Sequence, residues 1–216
     1  MIPQGVAIAM EEANRTADRR QERRRAMVQA AESLFLEHGY EATSLAAIVK
    51  KSGGSLATLY ELFGNKQGLL RAIIEMRDDE DRCPGCGDAC ATTAPSEMLR
   101  QYGHRLYAHV TSPRAIALKR IVITEALRDP AFARALYEDI HLPSVRELAA
   151  IFGQLHDSGR ASIDDPVAAA RLFFAIVMSD AQMQVLSQGG EALVDAAALD
   201  WRLAPFLSYF QISTTV

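Results

Sequence analysis

The sequence lacks the features that most often announce an enzyme or a membrane protein. No apolar run approaches the roughly 18 residues that span a bilayer, so no membrane anchor is expected. Met1 to Met10 is weakly apolar, but no basic residue leads it and acidic Glu11 and Glu12 follow it, unlike a signal peptide. The chain therefore reads as cytoplasmic, with residues 1–17 as a flexible tail. There is no Gly-rich phosphate loop after a strand, no GxSxG elbow and no His-Glu-x-x-His. Carboxylates are plentiful but scattered over polar stretches, so no catalytic acid–base pair stands out. No segment alternates like a strand between Gly-rich turns, which argues against a β fold. Internal repeats and low-complexity tracts are also missing.

What remains is a chain of 216 residues, 49% of them hydrophobic, which is enough to build a core. The net charge of −4 is unevenly spread: residues 1–14 carry −2, residues 15–77 carry +4 and residues 78–216 carry −6. A basic stretch on an acidic remainder suggests one surface that faces phosphates and another that does not.

Apolar residues recur at helical spacing almost throughout, so the expected fold class is all-α. From about Asp18 to His38 one face carries Met27, Ala30, Ala31, Leu34, Phe35 and His38, and Gly39 supplies a stop. Thr43 or Ser44 can cap the next helix, whose inward face is Leu45, Ile48 and Val49. Ser52-Gly53-Gly54 makes a turn, and Ser55 can cap a short helix carrying Leu56, Leu59, Tyr60 and Phe63. Gly64-Asn65 breaks it, and Lys66 opens a fourth helix through Leu69, Leu70, Ile73 and Ile74. Residues 78–95 form the clearest boundary. Beyond them helices are expected near Ser96–Thr111, Pro113–Arg128, Ala131–Leu155, Pro166–Gln188 and Ala192–Ile212. Pro166–Gln188 is apolar on more than one stripe and should be buried on more than one side.

Two short helices joined by a Gly-containing turn, spanning Thr43 to Phe63, make a helix-turn-helix whose second helix can enter a major groove. Its outer side is small and polar at the start, with Ser55, Ala57 and Thr58 ahead of Tyr60, which permits close approach to base edges. Arg15, Arg19, Arg20, Arg23, Arg24 and Arg25 precede or begin the first helix. They form either an arm for phosphates or a solvated face paired with Asp18 and Glu22.

Met27-Val28-Gln29-Ala30-Ala31, Leu34-Phe35, Gly39-Tyr40, Thr43-Ser44, Ile48, Thr58-Leu59-Tyr60, Phe63, Lys66 and Leu69-Leu70 together resemble the DNA-binding signature of the TetR/AcrR family. Ser112-Pro113-Arg114 through Asp129-Pro130-Ala131-Phe132 resembles the start of the regulatory domain in AefR-like members. The resemblance implies a three-helix DNA-binding domain over 18–65 and a helical-bundle regulatory and dimerisation domain over 66–216. It implies a ligand-responsive regulator, a repressor in most such proteins, that binds a palindromic double-stranded operator as a homodimer and is released by a small-molecule effector. By the same resemblance Thr43, Ser44, Tyr60 and Lys66 would hold phosphates while Ser55, Ala57 and Thr58 lie along the groove. Dimerisation would use the last two helices, with Trp201 near the contact. Two positions depart from the family pattern. Gly54 stands where a valine is usual, removing a small core anchor, and Ala57 stands where a glycine is usual.

Cys83, Cys86 and Cys90 fall within the 78–95 boundary. Cys-Pro-Gly-Cys resembles a zinc or iron knuckle, but a tetrahedral site needs a fourth ligand, and Asp88, His104, His109 or a partner's group would have to supply it. The spacing of Cys83 and Cys86 also suits a redox pair, and ordinary reduced thiols in a linker are the third reading. A metal- or redox-sensing regulator is thus the alternative mechanism, and a thiol oxidoreductase the remote one. Tyr102, Phe132, Phe152, Phe173 and Met178 are candidate linings of an effector cavity, although aromatic residues at helical spacing are more often plain core.

Overall fold

The computed structural model describes residues 4–81, 93–187 and 196–215, and among these all regular structure is helical. The order is α1 (Gln4–His38), α2 (Leu45–Ser52), α3 (Leu56–Phe63), α4 (Lys66–Asp81), α5 (Pro95–Val110), α6 (Pro113–Arg128), α7 (Pro130–Leu136), α8 (Leu142–Asp157), α9 (Pro166–Leu186) and α10 (Ala196–Tyr209). Two compact units emerge, Met1–Met76 and Arg77–Val216, here called the head and the body.

In the head, Met27, Val28, Ala31, Phe35, Ile48, Leu59, Leu69, Leu70 and Ile73 are shut off from solvent. All of these but Val28 are positions that helical spacing marks as inward. His38, expected on the same face of α1, is instead exposed at the helix end. Gly39 follows it with φ +87°, a left-handed conformation that costs glycine nothing and other residues a clash at Cβ. α1 begins at Gln4, well before the expected start near Asp18. The reason is in the composition: from Val6 to Arg25 there is no Gly or Pro, and Ala, Met, Glu, Gln and Arg all propagate a helix readily.

The boundary between head and body falls inside α4 rather than ahead of Lys66. α4 as far as Met76 belongs with the head, where Arg24 Nη2 of α1 donates to Glu75 Oε2 at 3.2 Å and Arg71 Nε donates to Glu75 Oε1 at 2.7 Å. Gly68 is required there: a Cβ would lie 1.8 Å from the Phe63 carbonyl oxygen.

Gly54 is not a missing anchor. A Cβ at this position would sit 2.2 Å from Met27 Cε, so the thioether of α1 occupies the space a valine would take. Met27 is fully buried. Methionine fills irregular gaps well because its side chain is unbranched and polarisable. The turn before α3 is therefore packed from the other side rather than loosened.

In the body, α8 and α9 pack on each other, with α5 and α10 beside them. The centre is aromatic. Tyr102 stacks on Phe173 with ring centres 5.7 Å apart, and Phe152 and Phe206 meet Phe173 at tilted or edge-on angles. One polar link ties three helices together: Arg202 of α10 forks onto Asp180 of α9 with both N–H···O distances 2.7 Å, and the Tyr107 hydroxyl of α5 donates to Asp180 Oδ2 at 2.7 Å. Hydrogen bonds from Arg202 hold the Asp180 carboxyl below its ordinary value. Burial, reinforced by Asp180, pushes the Tyr107 phenol up to about 12.

The stretch expected as one helix from Ala131 to Leu155 is broken in pitch. Tyr137–His141 is a π-helical turn, and the Leu142 N–H bonds the Tyr137 carbonyl five residues back. Pro143 explains it: proline has no N–H for the carbonyl four residues earlier and its ring collides with that carbonyl, so the helix widens ahead of it. α9 departs from expectation too. Ala169, Ala170, Phe173, Phe174, Val177, Ala181 and Val185 are buried, but Val167, Leu172, Met183 and Leu186 are exposed. Among the described residues, one broad side of it is covered.

Candidate nucleic-acid interface

The head's second and third helices are both capped by serine. Ser44 Oγ accepts from the Ala47 N–H at 3.1 Å and Ser55 Oγ accepts from the Thr58 N–H at 3.1 Å, each satisfying one of the amides left open at a helix start. Between them α2 ends on Gly53, whose φ is +73° and whose N–H reaches the Val49 carbonyl at 3.0 Å. Ser55 Oγ also lies 2.9 Å from Thr58 Oγ1, so the two hydroxyls form one small polar cluster at the start of α3. Asn65 plays the same part for α4, accepting from the Gly68 N–H at 2.8 Å. The turn residues are thus held by hydrogen bonds at every corner, which fixes α3 against α2.

α3 has one inward and one outward face. Leu59 is buried, Phe63 is half-buried, and Ser55, Leu56, Ala57, Tyr60 and Glu61 are exposed. Tyr60 is 54% exposed, which leaves it available to a ligand. Leu56 is 43% exposed. No signal in the chain distinguishes it, since a leucine at the first position of an amphipathic helix is ordinarily inward. Beside Ala57 it offers an apolar contact of the kind that suits a thymine methyl.

The two adjacent hydroxyls before α2 have opposite fates. Ser44 is exposed, whereas Thr43 is only 4% exposed, with its Oγ1 2.8 Å from the Gly39 carbonyl and 3.1 Å from that of Leu34. The expected phosphate contact from the Thr43 side chain is therefore corrected: its hydroxyl closes the carbonyl end of α1 instead. Lys66 Nζ donates to the Glu41 carbonyl at 3.2 Å and lies 4.4 Å from the centre of the Tyr40 ring. Tyr40 in turn meets Phe35 edge-on at 4.9 Å. The ammonium is thereby positioned at the edge of the head by a cation–π contact.

Among the described arginines, Arg20 and Arg24 both reach α3: the Arg24 guanidinium lies 5.8 Å from the centre of the Phe63 ring, and Arg20 pairs with Glu61. Arg20 Nη2 lies 3.2 Å from Glu61 Oε1, which partly neutralises a carboxylate on the outward face. Both side chains are mostly exposed, so this pair contributes little stability. Arg19, Arg23 and Arg25 are exposed as well. At the opposite side of α2, Lys51 Nζ donates to Ser33 Oγ at 2.6 Å and lies 3.5 Å from Glu37 Oε1. The Ser33 hydroxyl, followed by Lys51, holds the Glu37 carboxyl below its ordinary value.

The five residues proposed to line an effector cavity belong to the core of the body. Tyr102, Phe132, Phe152 and Phe173 are buried, and Met178 packs against the same core. A cavity of about 250 Å³ does occur, but at the start of α5 and the end of α8, and none of the five borders it. Cys83, Cys86 and Cys90 lie outside the described residues. Among the described residues no cluster of three His, Cys, Asp or Glu side chains is placed to hold a metal. His104, weighed as a fourth zinc ligand, has its Nε2 3.0 Å from Asp200 Oδ1, which Arg100 Nη1 also reaches at 3.1 Å.

Residues 27–73 match the family model described as bacterial regulatory proteins, tetR family, and residues 97–203 match that of the AefR-like transcriptional repressor C-terminal domain. The chain is 50% identical over 52 residues to the HTH-type transcriptional repressor ComR of Escherichia coli K12, a stretch covering 24% of this chain and 25% of that protein. The similarity thus spans about a quarter of that relative's length. Among solved structures, a TetR-family regulator from Mesorhizobium loti superimposes with a TM-score of 0.71 at 24% identity, over 89% of this chain and 98% of that one. The flavonoid-responsive regulator FrrA does so with a TM-score of 0.63 at 28% identity, over 87% and 96%.

Proposed function

This chain belongs to the TetR family of DNA-binding transcription regulators, and on that premise we propose that it is a homodimeric, effector-released repressor acting at a palindromic operator in the cytoplasm. The family is one of regulators rather than enzymes, so the thiol-oxidoreductase reading is set aside.

The observation that carries the DNA reading is the outward face of α3: a serine-capped start, small or hydroxyl-bearing residues at Ser55, Ala57 and Thr58, then an exposed tyrosine. Small side chains at the start of a recognition helix let its backbone approach base edges, while hydroxyls and the phenol reach bases and phosphates. Ser44 and Lys66 stand at the starts of α2 and α4, where anions are favoured by unpaired amides as well as by charge. Repression follows the name of the ComR relative, which is 50% identical to this chain over 52 residues.

A homodimer is supported by what the body leaves uncovered. Leu172, Met183 and Leu186 on α9, and Trp201 and Tyr209 on α10, are large, apolar and exposed, with Trp201 at 76%. Apolar surface of this kind on the last two helices suits a self-complementary contact between two copies. Two heads on a twofold axis would occupy major grooves one turn apart, about 34–36 Å. Effector control is supported by the ligand response in FrrA's name. An effector can act only by binding the released arrangement more tightly than the bound one.

The test is to select fragments of genomic DNA on the full-length protein and footprint the recovered site. Two protected half-sites, inverted and centred about one helical turn apart, are expected. Absence of any enriched sequence, or a single unpaired half-site bound by a monomer, overturns the proposal.

A further inference from the structure

The cavity at the far end of α8 has a feature that the aromatic core does not. Its walls are mostly apolar, from Pro95 and Met98 on α5 and Ile151 and Leu155 on α8, and its polar margin includes Gln154 and Arg160. Arg160 Nη2 is shut off from solvent and has no hydrogen-bond partner. A guanidinium N–H removed from water without an acceptor is costly, and native proteins seldom leave one so.

The backbone that carries Arg160 is fixed. Its N–H donates to the Leu155 carbonyl at 2.8 Å, and its carbonyl accepts from the Ser213 N–H at 2.8 Å. The Ser213 carbonyl in turn accepts from the Ser96 N–H at the start of α5, at 3.1 Å. Three segments of chain are thereby stitched around the cavity. The carbonyl end of α8, which would otherwise repel an anion, is already covered: Leu155 O also accepts from the Ala161 N–H at 3.1 Å, and the Ser158 hydroxyl lies 2.8 Å from Gln154 O.

We infer that this cavity binds a small amphipathic carboxylic acid, its carboxylate on Arg160 and its apolar body between α5 and α8. The planar guanidinium matches a carboxylate, whereas a phosphate would bring more charged oxygens than these apolar walls can satisfy. The size, about 250 Å³, falls just below the usual range for drug-sized ligands and suits a single ring or a short alkyl chain. The inference deepens the effector reading by naming a ligand class and a place for it, and it rests on that reading only for the consequence on DNA.

The experiment titrates the full-length protein calorimetrically with phenylacetate and with 2-phenylethanol, which keeps the ring and loses the charge. Phenylacetate should bind saturably, once per chain, at least about tenfold more tightly than the alcohol, the usual worth of a charge-assisted hydrogen bond. Arg160→Gln should erase that preference. Met98→Trp, which fills the cavity from α5, should weaken both ligands and guards against a folding defect in the first variant. Equal affinities, no saturable binding below about 10 mM, or an undiminished preference in Arg160→Gln overturns the site. Operator affinity measured with phenylacetate bound separates the two ideas: no change there counts against the effector reading, while the calorimetry stands for the site.

Discussion

The head and the body are both helical, but they are delimited by opposite devices. In the head, α1, α2 and α3 each stop on a glycine with positive φ: Gly39, Gly53 and Gly64. In the body, α5, α6, α7 and α9 each start on a proline, and Ser112, Asp129 and Asp165 cap three of them. A left-handed stop reverses the chain within two residues, which brings α2 and α3 into a compact turn. A proline start fixes φ at a position whose N–H has no partner within the helix, and so fixes where each helix begins. The interiors differ as well. The head uses aliphatic residues around Phe35, whereas the body stacks aromatic rings on Phe173.

The largest effect expected from this contrast is in the body. Phe173→Ala removes a fully buried ring touching Tyr102, Phe152 and Phe206, and should cost about 3–5 kcal/mol in a denaturant titration of the full chain. A loss under about 1 kcal/mol would mean the aromatic centre is a ligand space rather than a packed core. Next comes the Asp180–Arg202–Tyr107 link. Because the folded Asp180 carboxyl is held below its unfolded value, its contribution is complete above about pH 4 and disappears as pH falls through the folded value. Asp180→Asn should therefore lower the melting temperature at pH 7, and the gap from wild type should narrow on acidification towards pH 3. A gap that widens in acid would contradict the link. Smallest is Gly53→Ala. Nothing lies within 4 Å of its Cβ position, so only backbone strain is added, about 1 kcal/mol. Asp165→Ala, losing the cap on α9, should cost about as much. The two differ in consequence: the first should also weaken DNA binding, by shifting α3, and the second should leave the head's own affinity alone.

Much of the head was legible because its signals are local. Glycine stops, serine caps and apolar spacing each act within a few residues, and Ser44, Gly53 and Ser55 do what their types suggest. Three features of the head were not. Which of Thr43 and Ser44 turns inward depends on carbonyls of α1, nine and four residues before Thr43. That Gly54 is backed by Met27 depends on a contact across the fold. Arg20 and Arg24 are distinguished from their neighbours only by reaching Glu61 and Glu75 on other helices. In the body, helix starts were read well but the aromatic residues were not. Spacing marks Tyr102, Phe152 and Phe173 as inward, and it carries nothing about whether the inward side meets another ring or an empty volume. The π turn at Tyr137–His141 was readable in principle from Pro143.

The central claim is that the outward face of α3 reads DNA, and Ala57→Glu tests it most directly. Ala57 is exposed and sits in the first turn of α3, where a glutamate favours the helix dipole, so the fold should keep its stability. On the selected operator, a carboxylate at that position should meet phosphates and base edges and weaken binding by a hundredfold or more, on the order of 3 kcal/mol. An unchanged operator affinity in the folded variant would show that this face does not touch the duplex.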